Sequence, residues 1–148
     1  MTPEPKDRAN DAIPPRSIVY FDGVCGLCNW SVDFLLSADR HQRLLFSPLQ
    51  GQTAAAQLSL VDREDLQTLV LSDAADSKRT LWRRSDAVLR ALEICGGPLA
   101  GLARALRLIP KSLRDVVYNL VARYRYRLFG QKSSCRIPSP EERLRFLP

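Results

Sequence analysis

The sequence predicts an α/β protein with a mixed four-stranded sheet flanked by helices and followed by a C-terminal helical extension. Three observations favour this fold class: a strand–helix–strand pattern opens the chain, two later strands are separated by a short turn, and helical patterns fill most of residues 99–130. Parallel strands need a long crossover such as a helix, whereas strands joined by a short turn are antiparallel. One parallel pair and one antiparallel edge are therefore expected.

The parallel pair is expected in the first fifty residues. Residues 17–23 (SIVYFDG) are β-branched and aromatic and end at Asp-Gly, which is typical of a buried strand. Residues 43–49 (RLLFSPL) form the second strand, and an alanine-rich segment at 52–60 predicts a weak helix. A helix from about Gly26 to Asp39 joins the strands, and four of its residues share an inward face at helical spacing: Cys28, Val32, Leu35 and Leu36.

The antiparallel edge follows. Residues 66–73 (LQTLVLSD) and 78–85 (KRTLWRRS) are predicted to pair as a hairpin. Ser85 is expected to cap the next helix, which ends at Gly96-Gly97-Pro98. The inward face of that helix is predicted to contain Val88, Ala91, Leu92 and Cys95, so Cys95 is interpreted as a core residue.

The predicted extension covers about residues 99–148 and consists of two helices followed by a tail. One spans about Leu99 to Ile109, and the other runs from Ser112 to Phe129, with Asp115 completing a capping box. The tail is expected to be loop with at most one helical turn. Four residues of the second helix are expected to face the core while its arginines point mostly to water: Leu113, Val117, Leu120 and Tyr124.

Length and composition indicate a single domain. The chain has 148 residues, of which 45% are hydrophobic and 26% charged, as in ordinary globular proteins. Residues 1–16 are polar and proline-rich and are interpreted as a disordered leader, which leaves residues 17–148 for the domain. No segment approaches the roughly 20 apolar residues of a membrane span, and no apolar signal-peptide segment opens the chain. A cytoplasmic location is therefore expected.

Positive charge is concentrated towards the C-terminus. Residues 1–100 hold 11 Lys/Arg and 13 Asp/Glu, whereas residues 101–148 hold 11 and 3. A basic region can bind nucleic acid, anionic lipid or an acidic partner, or it can be a solvated helix surface. Nucleic acid is not expected, because Tyr124 of the RYRYR run is assigned to the inward face, where it cannot stack on bases. Peripheral contact with a membrane surface stays open.

Cys25 and Cys28 lie three residues apart at the predicted junction of the first strand and the first helix. In a reducing compartment, a close cysteine pair is more often catalytic or metal-binding than structural. The free N–H groups at a helix start favour a thiolate, so the pKa of Cys25 is expected below its usual value of about 8.5. Cys25 is predicted to be exposed and to attack, and Cys28 to resolve the mixed disulfide.

Asp22 precedes Cys25 by three residues. As a turn-forming residue it can end the strand together with Gly23. It can also take the proton from Cys28 when the mixed disulfide resolves, and the two roles are compatible. Because an ionised carboxylate raises the pKa of a nearby thiol, either the helix terminus outweighs Asp22 or Asp22 is partly protonated.

Two other interpretations of the cysteine pair compete with redox chemistry. Zinc sites have four ligands, which Cys95 and Cys135 could complete, but no second C-x-x-C exists and His41 is the single histidine. The pair could also fill the core, although Cys25 lies off the apolar stripe of its helix. The redox interpretation is preferred, with no cofactor and no metal expected.

The segment from Asp22 to Cys28 (DGVCGLC) resembles the signature of the DCC family of thiol-disulfide oxidoreductases, which is named for D-x-x-C-x-x-C. The likeness continues through residues 85–92, 109–130 and 133–147. It implies a thioredoxin-like fold and a protein-disulfide reductase type of activity. Two features depart from thioredoxin: no proline precedes the third strand, and Gly-Leu separates the cysteines where thioredoxin has Gly-Pro.

Two accessory residues are candidates. Cys135, followed by Pro138, is similar to a cysteine in the C-terminal loop of the family, which implies a third thiol, a cover over the pair or a packing residue. Trp30, two residues past Cys28, could shield the disulfide, contact a partner or simply pack.

The preferred hypothesis is a cytoplasmic thiol-disulfide oxidoreductase that uses Cys25, Cys28 and Asp22. Its expected partners are protein or small-molecule disulfides and thiols, together with a reductant that regenerates the dithiol. The alternative is a binding module without turnover, in which a basic helix meets an anionic partner or a membrane surface through Arg114, Arg123, Arg125 and Arg127.

Overall fold

The computed structural model describes residues 16–65, 68–75, 78–131 and 137–148. Except for Arg16, the predicted leader lies outside these residues. The elements follow in this order: β1 (Ser17–Phe21), α1 (Gly26–Ala38), β2 (Leu44–Pro48), α2 (Gln52–Gln57), α3 (Leu60–Glu64), β3 (Val70–Asp73), β4 (Thr80–Arg83), α4 (Arg84–Cys95), α5 (Gly97–Leu106), α6 (Lys111–Phe129) and a 3-10 turn (Arg143–Arg145).

The four strands form one mixed sheet in the order β2-β1-β3-β4. β1 and β2 are parallel, joined through α1, whereas β3 is antiparallel to both β1 and β4. The predicted parallel pair and antiparallel edge are therefore confirmed, and the arrangement is consistent with a thioredoxin-like fold. β1 lies between two strands, and all five of its residues are buried, as expected from its β-branched and aromatic side chains.

Alternation along the strands divides the core between the two faces of the sheet. On one face, Val19, Phe21 and Leu71 pack against α1 and α4, and Cys95 belongs to this cluster as predicted. On the other face, Ile18, Tyr20 and Val70 pack with α2. Burying each large apolar side chain stabilises the fold by about 1.5–3 kcal/mol, so this double layer fixes the position of β1 and of the loop that follows it.

Several local predictions are wrong because tertiary contacts compete with them. Arg83 occupies the N-cap of α4, so Ser85 lies in the first turn and its hydroxyl donates to Asp115 on α6. Pro110 is the N-cap of α6, and Asp115 binds Lys111 and Ser85 where a capping box was expected.

The 52–60 segment divides into α2 and the start of α3. Val88 is 38% exposed and lines surface cavities, whereas its neighbours Ala87 and Ala91 are buried.

The orientation of α6 is the largest departure from expectation. The four residues predicted to face the core are each at least 39% exposed: Leu113, Val117, Leu120 and Tyr124. The packed face of the helix instead includes Arg114, Tyr118 and Arg125. The body of the protein explains this orientation, because it offers α6 two carboxylates, Asp22 and Asp86, and the backbone N–H of Leu69 as polar partners.

The C-terminal segment packs against the edge strand β2. Phe146 forms a parallel bridge with Phe46, and the N–H of Leu147 donates to the carbonyl of Phe46 at 2.8 Å. Arg145 is buried and pairs with Asp39 at 2.6 Å, just after α1. Within the described ranges, no helix is long and apolar enough to cross a membrane.

Candidate active site

The two cysteines occupy the positions that the sequence predicts at the start of α1. Cys25 is the N-cap residue with an extended backbone, and its Sγ accepts a hydrogen bond from the N–H of Cys28 at 3.3 Å. Cys28 lies in the first turn of the helix and packs against the core cluster. Cys25 and Cys28 are both free thiols. The helix terminus therefore places both sulfurs at the end of β1.

Asn29 stabilises the loop that carries Cys25 through hydrogen bonds to its backbone. Its Nδ2 donates to the carbonyl of Gly23 at 2.9 Å and to the carbonyl of Cys25 at 2.8 Å. The side chain is buried, so these bonds satisfy loop carbonyls that water cannot reach. Sequence reasoning missed Asn29; the available signal was a polar residue one helical turn after Cys25, where an inward amide can reach the N-cap carbonyl.

The pKa values of the two thiols are shifted in opposite directions. A hydrogen bond from the Cys28 thiol lowers the pKa of Cys25 to about 6, helped by the Cys28 N–H and the Arg125 charge and opposed by burial and Asp22. The same hydrogen bond raises the pKa of Cys28, and burial and the Cys25 charge raise it further. The arrangement therefore favours a thiolate at Cys25 and a protonated thiol at Cys28.

Cys25 is buried, which contradicts the prediction that it would be exposed. Its accessible fraction is 0%, and the end of α6 is the segment that packs against it. The N–H of Gly26 donates to the carbonyl of Gly130 at 3.2 Å, and Cys25 forms an antiparallel bridge with Gln131. This approach requires glycine at position 26, because an added Cβ would lie 2.3 Å from the carbonyl oxygen of Phe129.

Asp22 is buried beneath the pair and accepts hydrogen bonds at both carboxylate oxygens. Its Oδ1 accepts from the N–H of Val24 at 3.1 Å, which confirms the predicted turn, and from Gln50 Nε2 at 2.8 Å. Its Oδ2 accepts from Arg125 Nη2 at 3.1 Å and from the hydroxyl of Tyr126. Four donors occupy a carboxylate that has about four lone-pair sites, so its capacity to accept hydrogen bonds is nearly filled.

Arg125 is the residue of the site that sequence reasoning misplaced. It was expected to point to water, but it is 4% exposed and forms a buried ion pair with Asp22. Its guanidinium also lies over the ring of Tyr126, 4.6 Å from the centroid. The only signal in the sequence was helical spacing, since Arg125 falls two turns after Tyr118 on the same face of α6.

A cavity of about 380 Å³ adjoins Cys28. Its walls come mainly from α1, α4 and α6, and they are mostly apolar, with Asp22, Ser31, Thr68, Tyr118 and Arg125 as polar members. Cys28 lines the cavity and Cys25 does not. The buried Nε of Arg125 has no hydrogen-bond partner among the described residues. A concave, apolar space with few polar groups is typical of small-ligand sites.

Trp30 lies at the rim of this cavity, so it is not a packed core residue. It is 63% exposed and stacks on Phe34 with ring centroids 5.9 Å apart. Both rings line the cavity beside Cys28. This position leaves open the predicted contact with a partner or substrate.

The structure also bears on the zinc and basic-helix interpretations of the sequence. Over the described ranges, no group of three or more His, Cys, Asp or Glu residues could hold a metal ion. Cys95 is buried in the core, where burial raises its pKa to about 11, and Cys135 lies outside the described residues. Of the four arginines of the predicted basic helix, Arg114 and Arg125 bind carboxylates of the protein itself.

Comparison with known proteins identifies related sequences. A family model described as DCC1-like thiol-disulfide oxidoreductase matches residues 19–131. The uncharacterized protein YuxK of Bacillus subtilis (strain 168) is 34% identical over 139 residues, which cover 90% of this chain and 96% of YuxK. A chloroplastic DCC family protein of Arabidopsis thaliana is 35% identical over 124 residues, which cover 82% of this chain and 70% of that protein. No solved structure matches.

Proposed function

The chain belongs to the DCC1-like thiol-disulfide oxidoreductase family, and on that premise we propose that it reduces substrate disulfides with a dithiol at Cys25 and Cys28. One observation carries the proposal: Cys25 is the N-cap of α1 and its Sγ accepts a hydrogen bond from the N–H of Cys28, and there the pKa of Cys25 is lowered while that of Cys28 is raised. Thiol–disulfide exchange by a dithiol needs a thiolate that attacks the substrate and a second thiol that stays protonated until the mixed disulfide has formed. This pair supplies one of each at neutral pH.

The exchange proceeds in two balanced steps. The Cys25 thiolate attacks one sulfur of the substrate disulfide, the substrate S–S bond breaks, and the second substrate sulfur leaves as a thiolate that takes a proton from water. Cys28 then gives its proton to water and attacks the Cys25 sulfur of the mixed disulfide; the S–S bond between Cys25 and the substrate breaks and releases the first substrate sulfur as a thiolate. The substrate gains two electrons, and the protein retains a Cys25–Cys28 disulfide that a thiol reductant must reduce.

The first step prepares the second. The largest cause that raises the pKa of Cys28 is its hydrogen bond to Cys25, and the negative charge of Cys25 adds to it. Once the Cys25 sulfur is covalently bound to substrate, it no longer carries that charge. The pKa of Cys28 then falls, and the Arg125 charge favours the new thiolate. Resolution therefore begins only after substrate has been captured.

Substrate must reach a sulfur that is buried in this conformation. We infer that Gly130 and Gln131, which follow α6, withdraw from Cys25 during turnover. Among the described residues, the Cys25–Gln131 bridge with its hydrogen bond from Gly26 to Gly130 holds them, and a single bridge is weak enough for a local opening. The cavity beside Cys28 would receive an apolar group next to the substrate disulfide, which favours substrates with apolar surroundings over charged ones.

The role of Asp22 follows from its contacts. The carboxylate fixes Arg125 and Tyr126, and through Arg125 it sets the positive charge near both sulfurs. Proton uptake from Cys28, the role expected from the sequence, stays a prediction, and it would require one of the four donors to leave. The cytoplasmic location belongs to the same proposal, because regeneration of the dithiol needs a reducing compartment.

The test is differential alkylation of the full chain, analysed by mass spectrometry across a series of glutathione redox buffers. Cys25 and Cys28 are expected to pass together from dithiol to disulfide, while Cys95 stays reduced. In Cys28→Ser, a mixed disulfide is expected to accumulate on Cys25, because the resolving thiol is absent. Cys25→Ser is the matched control and should trap little. Independent alkylation of both cysteines at every potential would exclude the dithiol couple.

A further inference from the structure

The outer face of α6 is apolar, although the helix lies on the surface. Six side chains along it are between 39% and 70% exposed: Leu113, Val116, Val117, Leu120, Tyr124 and Leu128. Leu108 and Leu102 extend the apolar surface towards α5, with exposed fractions of 88% and 51%. Isolated exposed leucines are ordinary, but a contiguous stripe of this size marks an interaction site in soluble proteins.

The amphipathicity of α6 is reversed relative to a typical surface helix. The side that packs on the protein binds through polar groups: Arg114 pairs with Asp86, Tyr118 accepts a hydrogen bond from Leu69, and Arg125 pairs with Asp22. Because these bonds fix the rotation of the helix, the apolar side cannot turn inward without breaking them. The exposed stripe is therefore a built feature of the fold.

An apolar groove opens beside this stripe. It has a volume of about 410 Å³ and is lined mainly by apolar side chains of α4, of α6, and of the end of α5 with the turn that follows it, among them Leu106, Ile109, Leu113 and Val117; its polar members are Ser85, Arg114 and Tyr118. Such a groove can accept a hydrocarbon chain, since it has very few polar groups to leave unsatisfied.

Positive charge borders the apolar stripe. Arg123 and Arg127 lie on α6 and Arg104 on α5, and all three are exposed. They form no ion pair with any residue in the described parts of the chain. The acidic residue of these two helices, Asp115, is already bound to Lys111 and Ser85. The surface therefore presents apolar side chains and exposed cations together.

We propose that the α5–α6 face docks on an anionic lipid bilayer, with α6 lying in the plane of the interface and its arginines at the phosphates. An apolar stripe bordered by basic residues is the pattern of interfacial helices, and α6 is not a membrane span. A second copy of the chain is a poorer occupant, because it would bring the same exposed arginines to the contact. The proposal is independent of the thiol chemistry.

Docking in this way brings the candidate active site near the bilayer. Val121 is exposed beside the stripe and also lines the cavity at Cys28, whose rim carries Trp30. The apolar cavity therefore opens next to the docked surface. A substrate disulfide borne by a membrane-associated molecule would reach the site from that side.

The experiment is co-sedimentation of the full chain with phosphatidylcholine vesicles, with and without phosphatidylserine. Binding is expected to the anionic vesicles and to weaken as salt rises. The double variant Arg123→Glu/Arg127→Glu should bind at least roughly 30-fold more weakly: losing two basic residues costs about 2 kcal/mol at about 1 kcal/mol each, and the two new negative charges weaken binding further. Leu120→Glu should lose binding by roughly tenfold or more, because it places a charge in the apolar stripe.

Matched controls keep the test specific. Leu60→Glu changes an equally exposed leucine on α3, and Arg40→Glu removes an exposed arginine after α1; both should bind as the natural protein does. Absence of vesicle binding at low salt, or equal losses in the controls, would overturn the proposal. Self-association detected by analytical ultracentrifugation and abolished by Leu120→Glu would assign the face to a second copy and also overturn it.

Discussion

At the scale of single residues, the buried pair of Asp22 and Arg125 links the signature loop to the C-terminal helix. Both side chains are at most 5% exposed, and their nearest atoms are 3.1 Å apart. Removing two charges from water costs several kcal/mol per ion, so the pair persists because Tyr126, Gln50 and Val24 supply further hydrogen bonds to the carboxylate. The acid of the signature thus has a structural partner 103 residues away.

Asp22→Asn is expected to lower the free energy of unfolding by about 3–5 kcal/mol, because it leaves the Arg125 charge buried and uncompensated. Urea denaturation followed by tryptophan fluorescence measures the change. The double variant Asp22→Asn/Arg125→Met should recover most of the loss, since neither charge then remains. An additive double variant, or a single variant as stable as the natural protein, would contradict the buried pair.

At the scale of elements, the end of α6 packs against the start of α1, where Cys25 is buried. Only a residue without a Cβ permits the 3.2 Å hydrogen bond from Gly26 to the carbonyl of Gly130. The sequence predicts both helices and their ends within about two residues. It does not indicate that these two ends meet, because the contact joins residues about a hundred positions apart.

Gly26→Ala is expected to displace the end of α6 and to expose Cys25. The rate of iodoacetamide labelling at Cys25 should therefore rise, while the free energy of unfolding falls. Gly101→Ala is the matched control, since its added Cβ meets no atom within 4 Å inside α5. This control should leave labelling unchanged and gain about 0.4–1 kcal/mol of stability. Unchanged labelling in Gly26→Ala would show that α6 does not cover Cys25.

Contacts between elements also explain why some of the helix predictions are wrong. Capping by Ser85 and Ser112 rests on local hydrogen bonds worth about 1 kcal/mol each. In the fold, Ser85 and Asp115 instead bind each other across the α4–α6 contact. The predicted rotation of α6 is wrong for a related reason. Helical spacing identifies the side chains that form an apolar stripe, but it does not show whether that stripe packs on the core or on a partner.

At the scale of the whole molecule, the thiol pair makes stability depend on pH. The folded protein lowers the pKa of Cys25 from its ordinary value of 9.0 to about 6. Between these two values, the unfolded chain binds a proton at Cys25 that the folded protein has released. Stability therefore rises with pH across this window, and the contribution is lost as the pH falls through about 6.

The reduced protein is accordingly expected to have a higher urea midpoint at pH 8 than at pH 6. The carboxylates whose pKa is lowered by arginine or lysine partners, such as Asp62 and Asp86, titrate below this window and do not contribute. Cys25→Ser should remove the rise, and so should oxidation of the pair to the disulfide. A rise that persists in Cys25→Ser would assign the pH dependence to another group.

The sequence by itself determined the mixed sheet, the order of its strands and helices, and the placement of Cys25 and Cys28 at a helix start. Each of these depends on local periodicity, on turn residues or on a short signature, all of which act over a few residues. Tertiary structure decided which sulfur is covered, which arginine joins Asp22 and which face of α6 is exposed. Those outcomes depend on burial and charge pairing between distant segments, and no local pattern encodes the desolvation energy that selects among them.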